Sequence, residues 1–185
     1  MIRIIAGNKK GKKLQVPKAA KPITDRIKTS IFDLIRDFLP QAHVLDLFSG
    51  SGNFAIEALS RGAMDAVIVE LDPEAIKIIK QNVESCDYKL AINIIKGDVL
   101  SFLQHDTKKF DIIMLDPPFP IPSINKERLL KLSLSHLVPG GIIIFRYPAQ
   151  EKYTVNRIDA EIVYTKKYGI SIVSFIAKKQ QQESI

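Results

Sequence analysis

The chain has 185 residues, 46% hydrophobic and 25% charged, which fits one globular domain of ordinary size and excludes a largely disordered polypeptide. No apolar run approaches the roughly 18 residues that a membrane-spanning helix needs, and a single cysteine, Cys86, excludes an internal disulfide. The formal net charge of +7 resides at one end: Arg3, Lys9, Lys10, Lys12, Lys13, Lys18 and Lys21 lie among the first 22 residues with no acid, leaving 20 basic residues against 20 acidic ones elsewhere.

That asymmetry points to a polyanionic partner reached by a basic arm. The opening Met1-Ile2-Arg3-Ile4-Ile5-Ala6-Gly7 lacks the long apolar stretch of a signal peptide, so a cytoplasmic location is expected. His43, His105 and His136 show no metal-ligand spacing, and no metal is expected.

In chain order, Ile2 to Ala6 and Lys12 to Val16 read as the strands of a hairpin whose turn is Gly7-Asn8-Lys9-Lys10-Gly11, the most basic point of the molecule. Pro17 and Pro22 break the chain before Thr24, an N-cap for a helix carrying Ile27, Ile31, Leu34, Ile35 and Phe38 at helical spacing, closed by Pro40. Strands and helices then alternate: strand 44–48, helix 53–61 stopped by Gly62, strand 66–71, and a helix from Pro73 to about Ser85. Further strands are expected at 91–95, 110–115 and 142–145, with a helix from about Ile124 to Leu137. These runs are short, rich in β-branched residues and without clean alternation, as strands buried on both faces of a parallel sheet are. The final strands, 161–166 and 170–178, share a link at Tyr168-Gly169 too short for a crossover helix, so they pair antiparallel. The expected architecture is α/β, a doubly wound Rossmann-like sheet with an antiparallel C-terminal hairpin. Residues 1–22 form the basic arm, 23–179 the main domain and 180–185 a polar tail.

Ligands of such sheets bind beyond the carboxyl ends of the strands, and four successive strands end in or near an acid: Asp46, Glu70, Asp98 and Asp116. Asp46 opens the strand-turn-helix stretch Asp46-Leu47-Phe48-Ser49-Gly50-Ser51-Gly52-Asn53-Phe54-Ala55, in which Gly50 and Gly52 let the backbone approach a ligand closely. Gly50-x-Gly52-x-x-Ala55 with Glu70 18 residues beyond Gly52 suits the ribose of NAD as well as that of S-adenosylmethionine, so the glycines do not decide. Charge separates the two, because Asp46 would repel a pyrophosphate and attract a sulfonium or ammonium. At an effective dielectric near 20, a unit pair ~4 Å apart is worth about 4 kcal/mol before desolvation. The candidate S-adenosylmethionine-binding residues are therefore Asp46, Phe48, Gly50, Ser51, Gly52, Glu70 for the ribose, Leu71, Asp98 for the adenine amino edge, and Val99.

Asp116-Pro117-Pro118-Phe119 follows the hydrophobic strand Phe110 to Leu115 and forms the candidate reaction centre. An exocyclic amine is a poor nucleophile because its lone pair is delocalised. The Asp116 carboxylate and a backbone carbonyl, that of Pro117, can accept both N–H hydrogens and aim the lone pair at a methyl-sulfonium carbon. Two prolines fix two φ angles and remove two donors, and Phe119 can stack on the base, a contact worth ~1 to 3 kcal/mol. Adenine, guanine and an amide all remain possible substrates at this point.

The chain resembles the RsmD-type bacterial 16S ribosomal RNA guanine-N2 methyltransferases. Arg3-Ile4-Ile5-Ala6-Gly7 with Lys10-Gly11-Lys12-Lys13-Leu14 is similar to the family's opening, Pro22-Ile23-Thr24-Asp25-Arg26 to its second block, and Leu45 to Gly52 running on to Glu57-Ala58-Leu59-Ser60-Arg61-Gly62-Ala63 to its cofactor block. Val69-Glu70 and Asp116-Pro117-Pro118-Phe119 follow in family order. Lys21 and Ile23 depart from the usual Arg and Thr, and Arg146 stands where an acid is common. The resemblance implies methyl transfer from S-adenosylmethionine to the guanine 2-amino group of 16S ribosomal RNA or the small ribosomal subunit. Arg3, Lys9, Lys10, Lys12, Lys13 and Arg26 are the candidate RNA contacts, and a monomer is the expected state. A DNA adenine-N6 or protein glutamine methyltransferase shares the reaction-centre chemistry. An NAD-linked oxidoreductase leaves Asp46 and Asp116 without a role, and a non-enzymatic RNA-binding protein leaves the strand-end acids without one.

Overall fold

The computed structural model describes residues 2–18, 23–119, 126–151, 155 and 159–179. Lys21, Pro22, the start of the helix expected from Ile124 and the tail 180–185 lie outside the described residues. Among the described residues no helix is long and apolar enough to cross a membrane.

The hairpin forms with β1 (Ile2–Arg3) antiparallel to β2 (Lys13–Leu14), shorter than the expected strands. Its ladder ends early because the N–H groups of Ile5 and Ala6 turn to the Glu57 carboxylate, at 2.8 and 3.0 Å. Thr24 caps α1 (Asp25–Leu34) as expected, accepting from the Ile27 N–H. The helix stops at Ile35 and tightens into a 3-10 turn (Arg36–Phe38), which leaves Leu34 and Phe38 exposed, although their spacing places them on the apolar stripe.

The main sheet contains β3 (His43–Leu47), β4 (Asp65–Glu70), β5 (Ile92–Lys96), β6 (Phe110–Leu115), β7 (Leu137–Pro148), β8 (Ala160–Tyr168) and β9 (Ser171–Lys178), in the order β5-β4-β3-β6-β7-β9-β8. Pairing is parallel from β5 to β7 and antiparallel through β9 and β8. The chain winds outward from β3 to β5 and then returns to β6 on the other side of β3. The topological switch point, where such sheets bind ligands, therefore lies between β3 and β6.

The helices α2 (Asn53–Ser60) and α3 (Pro73–Ser85) pack with α1 and the hairpin on one face, sharing a core that contains Ile4, Leu14, Phe32, Phe54, Ile68, Met114 and Ile144. The other face carries α4 (Val99–His105) and α5 (Lys126–Ser135) over Leu45, Leu47, Ile113, Leu115 and Phe145. Two local differences from expectation have simple causes. The sequence pattern does not predict α4, whose seven residues are too few for a clear period, yet Asp98 caps it through the Ser101 N–H. Strand β7 starts at Leu137 rather than Ile142, and its register against β6 shifts across Pro139-Gly140-Gly141, where Gly140 adopts φ +78° and a Cβ on Gly141 would stand 2.8 Å from the Asp111 carbonyl oxygen.

Helix α2 is buried along all eight residues because the hairpin lies across it. Fully buried Glu57 receives, besides Ile5 and Ala6, the Lys28 ammonium at 3.1 Å and Arg61 Nε at 2.8 Å. Lys28 also donates to the Arg3 carbonyl (2.5 Å) and Asn53 Oδ1 (2.8 Å), so its three donors are used. Further along, the Asn8 N–H reaches the Ser60 carbonyl, and the Ser60 hydroxyl bridges Lys9 N–H and Ala6 C=O. Gly7, at φ +83°, fits only because it has no Cβ, which would fall 1.6 Å from the Ser60 carbonyl oxygen.

Candidate active site at the sheet switch point

Side chains alternate between the faces of a strand, and this places four polar groups on the α1–α2 side of the sheet at its carboxyl edge: Glu70 on β4, Asp46 on β3, Asp116 after β6 and Arg146 on β7. Asp46 pairs in register with Met114, so it sits one pleat deeper than Asp116. Asp116 and Arg146 both lie one residue beyond the register pair Leu115–Phe145.

Asp46 is 2% exposed. Its Oδ2 accepts from the Ser49 hydroxyl at 2.5 Å and from the Ala55 N–H at 3.3 Å. The second bond caps α2 from the neighbouring strand, a task Gly52 cannot perform because it has no side chain. Burial, reinforced by the negative charges of Asp116 and Glu70, pushes the Asp46 carboxyl up to about 7, against the pull of its two hydrogen bonds. A cation brought beside it would restore the carboxylate.

The β3–α2 turn is built for close approach. Gly50 and Gly52 adopt φ +60° and +75°, and space is open where a Gly50 Cβ would project. Phe48 also has a positive φ, +60°, unusual for an aromatic residue and of a kind that costs about 1–3 kcal/mol. Ser51 is buried and its carbonyl accepts from Asn82 Nδ2 at 2.9 Å. Glu70 ties two loops together: Oε2 accepts from the Gly50 N–H at 2.8 Å, and Oε1 from Leu71 and Asp72 at 2.8 and 3.0 Å. Leu71 is exposed beside it. The open Gly50 surface and the carboxylates of Asp46 and Glu70 fit a ligand with a cationic group and hydroxyls. Asp98 stands at the next strand end, where one of its oxygens caps α4, and the Val99 side chain is buried in the core of the opposite face.

Asp116, which the sequence presents as a lone acceptor, has a partner. Arg146 Nε donates to its Oδ1 at 2.6 Å, and the guanidinium carbon lies 4.9 Å from the Phe119 ring centroid. Burial raises the Asp116 pKa while the Arg146 charge and hydrogen bond oppose the rise. In the sequence Arg146 stands out only as a departure from the family pattern. The missed signal is lateral: Asp116 and Arg146 are 30 residues apart and meet only once β6 and β7 pair.

The expected RNA contacts separate into two groups. Arg3 pairs with Asp25 at 3.3 Å beside Lys13, its register partner, near the start of α2 and hence near the acids. Arg26 is exposed in the first turn of α1. Lys9 is held by Asp87 at 2.8 Å, which raises its pKa, and packs over Tyr88 at the far ends of α2 and α3. Lys10 and Lys12 are exposed at that turn. Among the described residues no group of His, Cys, Asp and Glu could hold a metal ion.

The family described as Conserved hypothetical protein 95 matches residues 2–177. A Haemophilus influenzae protein named Ribosomal RNA small subunit methyltransferase D is 36% identical over 77% of this chain and 76% of its own length. Bacillus subtilis YlbH, described as a candidate rRNA methyltransferase, is 30% identical over 96% of this chain and 100% of its own. Among solved structures, the Escherichia coli candidate methyltransferase yhhF superposes with a TM-score of 0.86 at 27% identity, covering 97% of this chain and 99% of that one. A family match over nearly the whole chain, spanning the glycine turn, Glu57 and the Asp116 loop alike, means that the chain belongs to the RsmD-type methyltransferase family.

Proposed function

We propose that this protein transfers a methyl group from S-adenosylmethionine to the 2-amino group of a guanine in 16S ribosomal RNA, free or within the small ribosomal subunit. The observation that carries the reading is the row of Glu70, Asp46 and Asp116 on one face at the switch point, in a chain whose relatives are named for methylation of small-subunit ribosomal RNA. Bound S-adenosylmethionine supplies an electrophilic methyl group on a cationic sulfur. The Gly50–Gly52 turn, Asp46 and Glu70 would hold it, with Leu71 and Asp98 at the rim of the same edge. The buried Asp46 favours a cationic cofactor and disfavours the pyrophosphate of NAD.

On the substrate side, Asp116 accepts an N–H of the target amine and the Pro117 carbonyl the other, which localises the nitrogen lone pair. Phe119 supplies a face for the base. The surplus proton of the methylated amine passes to Asp116 or to water; the raised pKa of Asp116 suits it as the acceptor. Exposed Lys10, Lys12, Lys13 and Arg26, with Arg3, bind phosphates rather than bases, because no aromatic residue is interleaved with the arm's cations.

The test is label transfer from methyl-labelled cofactor to ribosomal RNA, small subunits, duplex DNA and release factors, followed by mapping of the modified nucleotide. N2-methylguanine in small-subunit RNA is expected. Label confined to DNA or protein overturns the proposal.

A further inference from the structure

We propose that the Arg146 side chain fills the target-base position in the free protein, and that a guanine replaces it between Asp116 and Phe119. This rests on the reading of that loop as the base-holding site. The two interactions required of the base are those Arg146 already makes: an N–H donated to Asp116 Oδ1 at 2.6 Å, and a planar cation 4.9 Å from the Phe119 ring centroid. The Arg146 and Asp116 side chains are largely covered, 16% and 18% exposed, and among the described residues Asp116 is the acid ion-paired with Arg146. The carboxylate has acceptor sites to spare, but the Phe119 ring face that the guanidinium covers cannot also stack on a base, so a base that takes that face beside Asp116 displaces Arg146.

The chemistry of the occupant names the base. The N1–C2–N2 edge of guanine is itself a guanidine: a carbon bearing adjacent N–H donors in one plane, as in arginine. A carboxylate that accepts from one accepts from the other. Adenine offers N6–H beside the N1 acceptor, and N1 would face the carboxylate lone pairs. The slot that Arg146 fits therefore selects guanine over adenine before any contact with flanking RNA. Arg146 can leave by side-chain rotation alone, since its backbone is fixed in the β7–β9 ladder opposite Val173.

The experiment is calorimetric or NMR titration of wild type, Arg146→Ala and the double variant Arg146→Ala/Asp116→Asn with guanosine, adenosine and guanidinium chloride at low millimolar concentration. Arg146→Ala is expected to bind guanosine at least tenfold more tightly than wild type, with adenosine unchanged and guanidinium competing. The double variant reverts to the wild-type affinity or below. Should Arg146→Ala fail to fold, Arg146→Lys keeps a charge for Asp116 but not a planar stack, and is expected to show a smaller increase of the same selectivity. Equal guanosine affinity in wild type and variants, or an equal increase for adenosine, overturns the proposal. Ribosomal RNA methylated by wild type, with no tighter guanosine binding by the variant, would sink this inference alone. Tighter guanosine binding without methylation of ribosomal RNA would sink the substrate assignment and leave the base slot.

Discussion

Replacing Asp46 by asparagine separates what the buried carboxyl costs the fold from what it does for a ligand. Its pKa is raised from 3.8 to about 7, mainly by burial, so the folded protein favours the protonated form. The favourable contribution of that form is fully present below the unfolded value and is lost as pH rises to about 7. The loss approaches roughly 4 kcal/mol, about 1.4 kcal/mol per pH unit across the window. Asparagine carries no charge and keeps an acceptor for Ser49 and Ala55, which both bond the same oxygen, Oδ2. The unfolding free energy of Asp46→Asn minus that of wild type should therefore climb between pH 4 and pH 7 and level off above, as read from urea melts at half-unit pH steps. The same variant should bind S-adenosylmethionine ten- to a hundredfold more weakly at pH 8, because a unit charge pair is removed. Wild-type affinity should rise with pH up to about 7. A stability difference flat from pH 5 to pH 8 would refute the buried-acid reasoning, and unchanged cofactor affinity would refute the cation assignment.

Asp116→Asn should lower kcat about a hundredfold or more while leaving cofactor affinity within a fewfold, measured by single-turnover methyl transfer and calorimetry. Glu57→Gln leaves Lys28 and Arg61 buried without their counter-charge, and should cost about 3–5 kcal/mol in denaturant melts; a loss below 1 kcal/mol would mean that water or rearrangement replaces the carboxylate. Neutralising Lys10, Lys12 and Lys13 together should weaken RNA binding and reduce the log-log salt slope by roughly 0.7 to 0.9 for each phosphate no longer neutralised. An unchanged slope would place the RNA footprint elsewhere.

Where local chemistry determines structure, the sequence is legible. Asp72 with Pro73 sets the start of α3, and its end at Ser85 matches; Phe110–Leu115 is likewise an apolar run, interrupted at Asp111 and bounded by polar residues. The local pattern misleads where a tertiary partner overrides it. Ile5 and Ala6 read as strand, but a carboxylate 51 to 52 positions away takes their N–H groups. The strand expected from Ile142 instead begins at Leu137, because the bare Gly141 Cα lets β7 approach Asp111 across an irregular stretch. In the site, the signs and strand-end positions of Asp46, Glu70 and Asp116 are readable from spacing. Their present partners are not: the Gly50 N–H on Glu70 and the Arg146 guanidinium on Asp116 come from elements 20 and 30 residues distant.

The Glu57 network explains why a highly basic arm is held against a helix whose other end meets the Gly50–Gly52 turn. Once the β1–β2 ladder ends, the N–H groups of Ile5 and Ala6 face α2, partly shielded from water, and need an acceptor there. A carboxylate answers both, but a buried carboxylate then requires cations, and Lys28 and Arg61 supply them. Burial lowers the Lys28 pKa and Glu57 opposes that shift, so each ion is tolerable only in the presence of the other. Replacing the pair with apolar residues would remove the acceptors that fix the arm's register, so the network's value is specificity of placement more than net stability. The same Lys28 holds Asn53, the first residue of α2, immediately after Gly52. Helix α2, about 12 Å long, thereby sets the distance between the arm's turn, with Lys9 and Lys10 beside Ser60, and the acids at the switch point. Under the proposed function the turn lysines lie too far along it to touch the target base and would hold RNA flanking it, so their removal should raise KM for the RNA while leaving kcat intact.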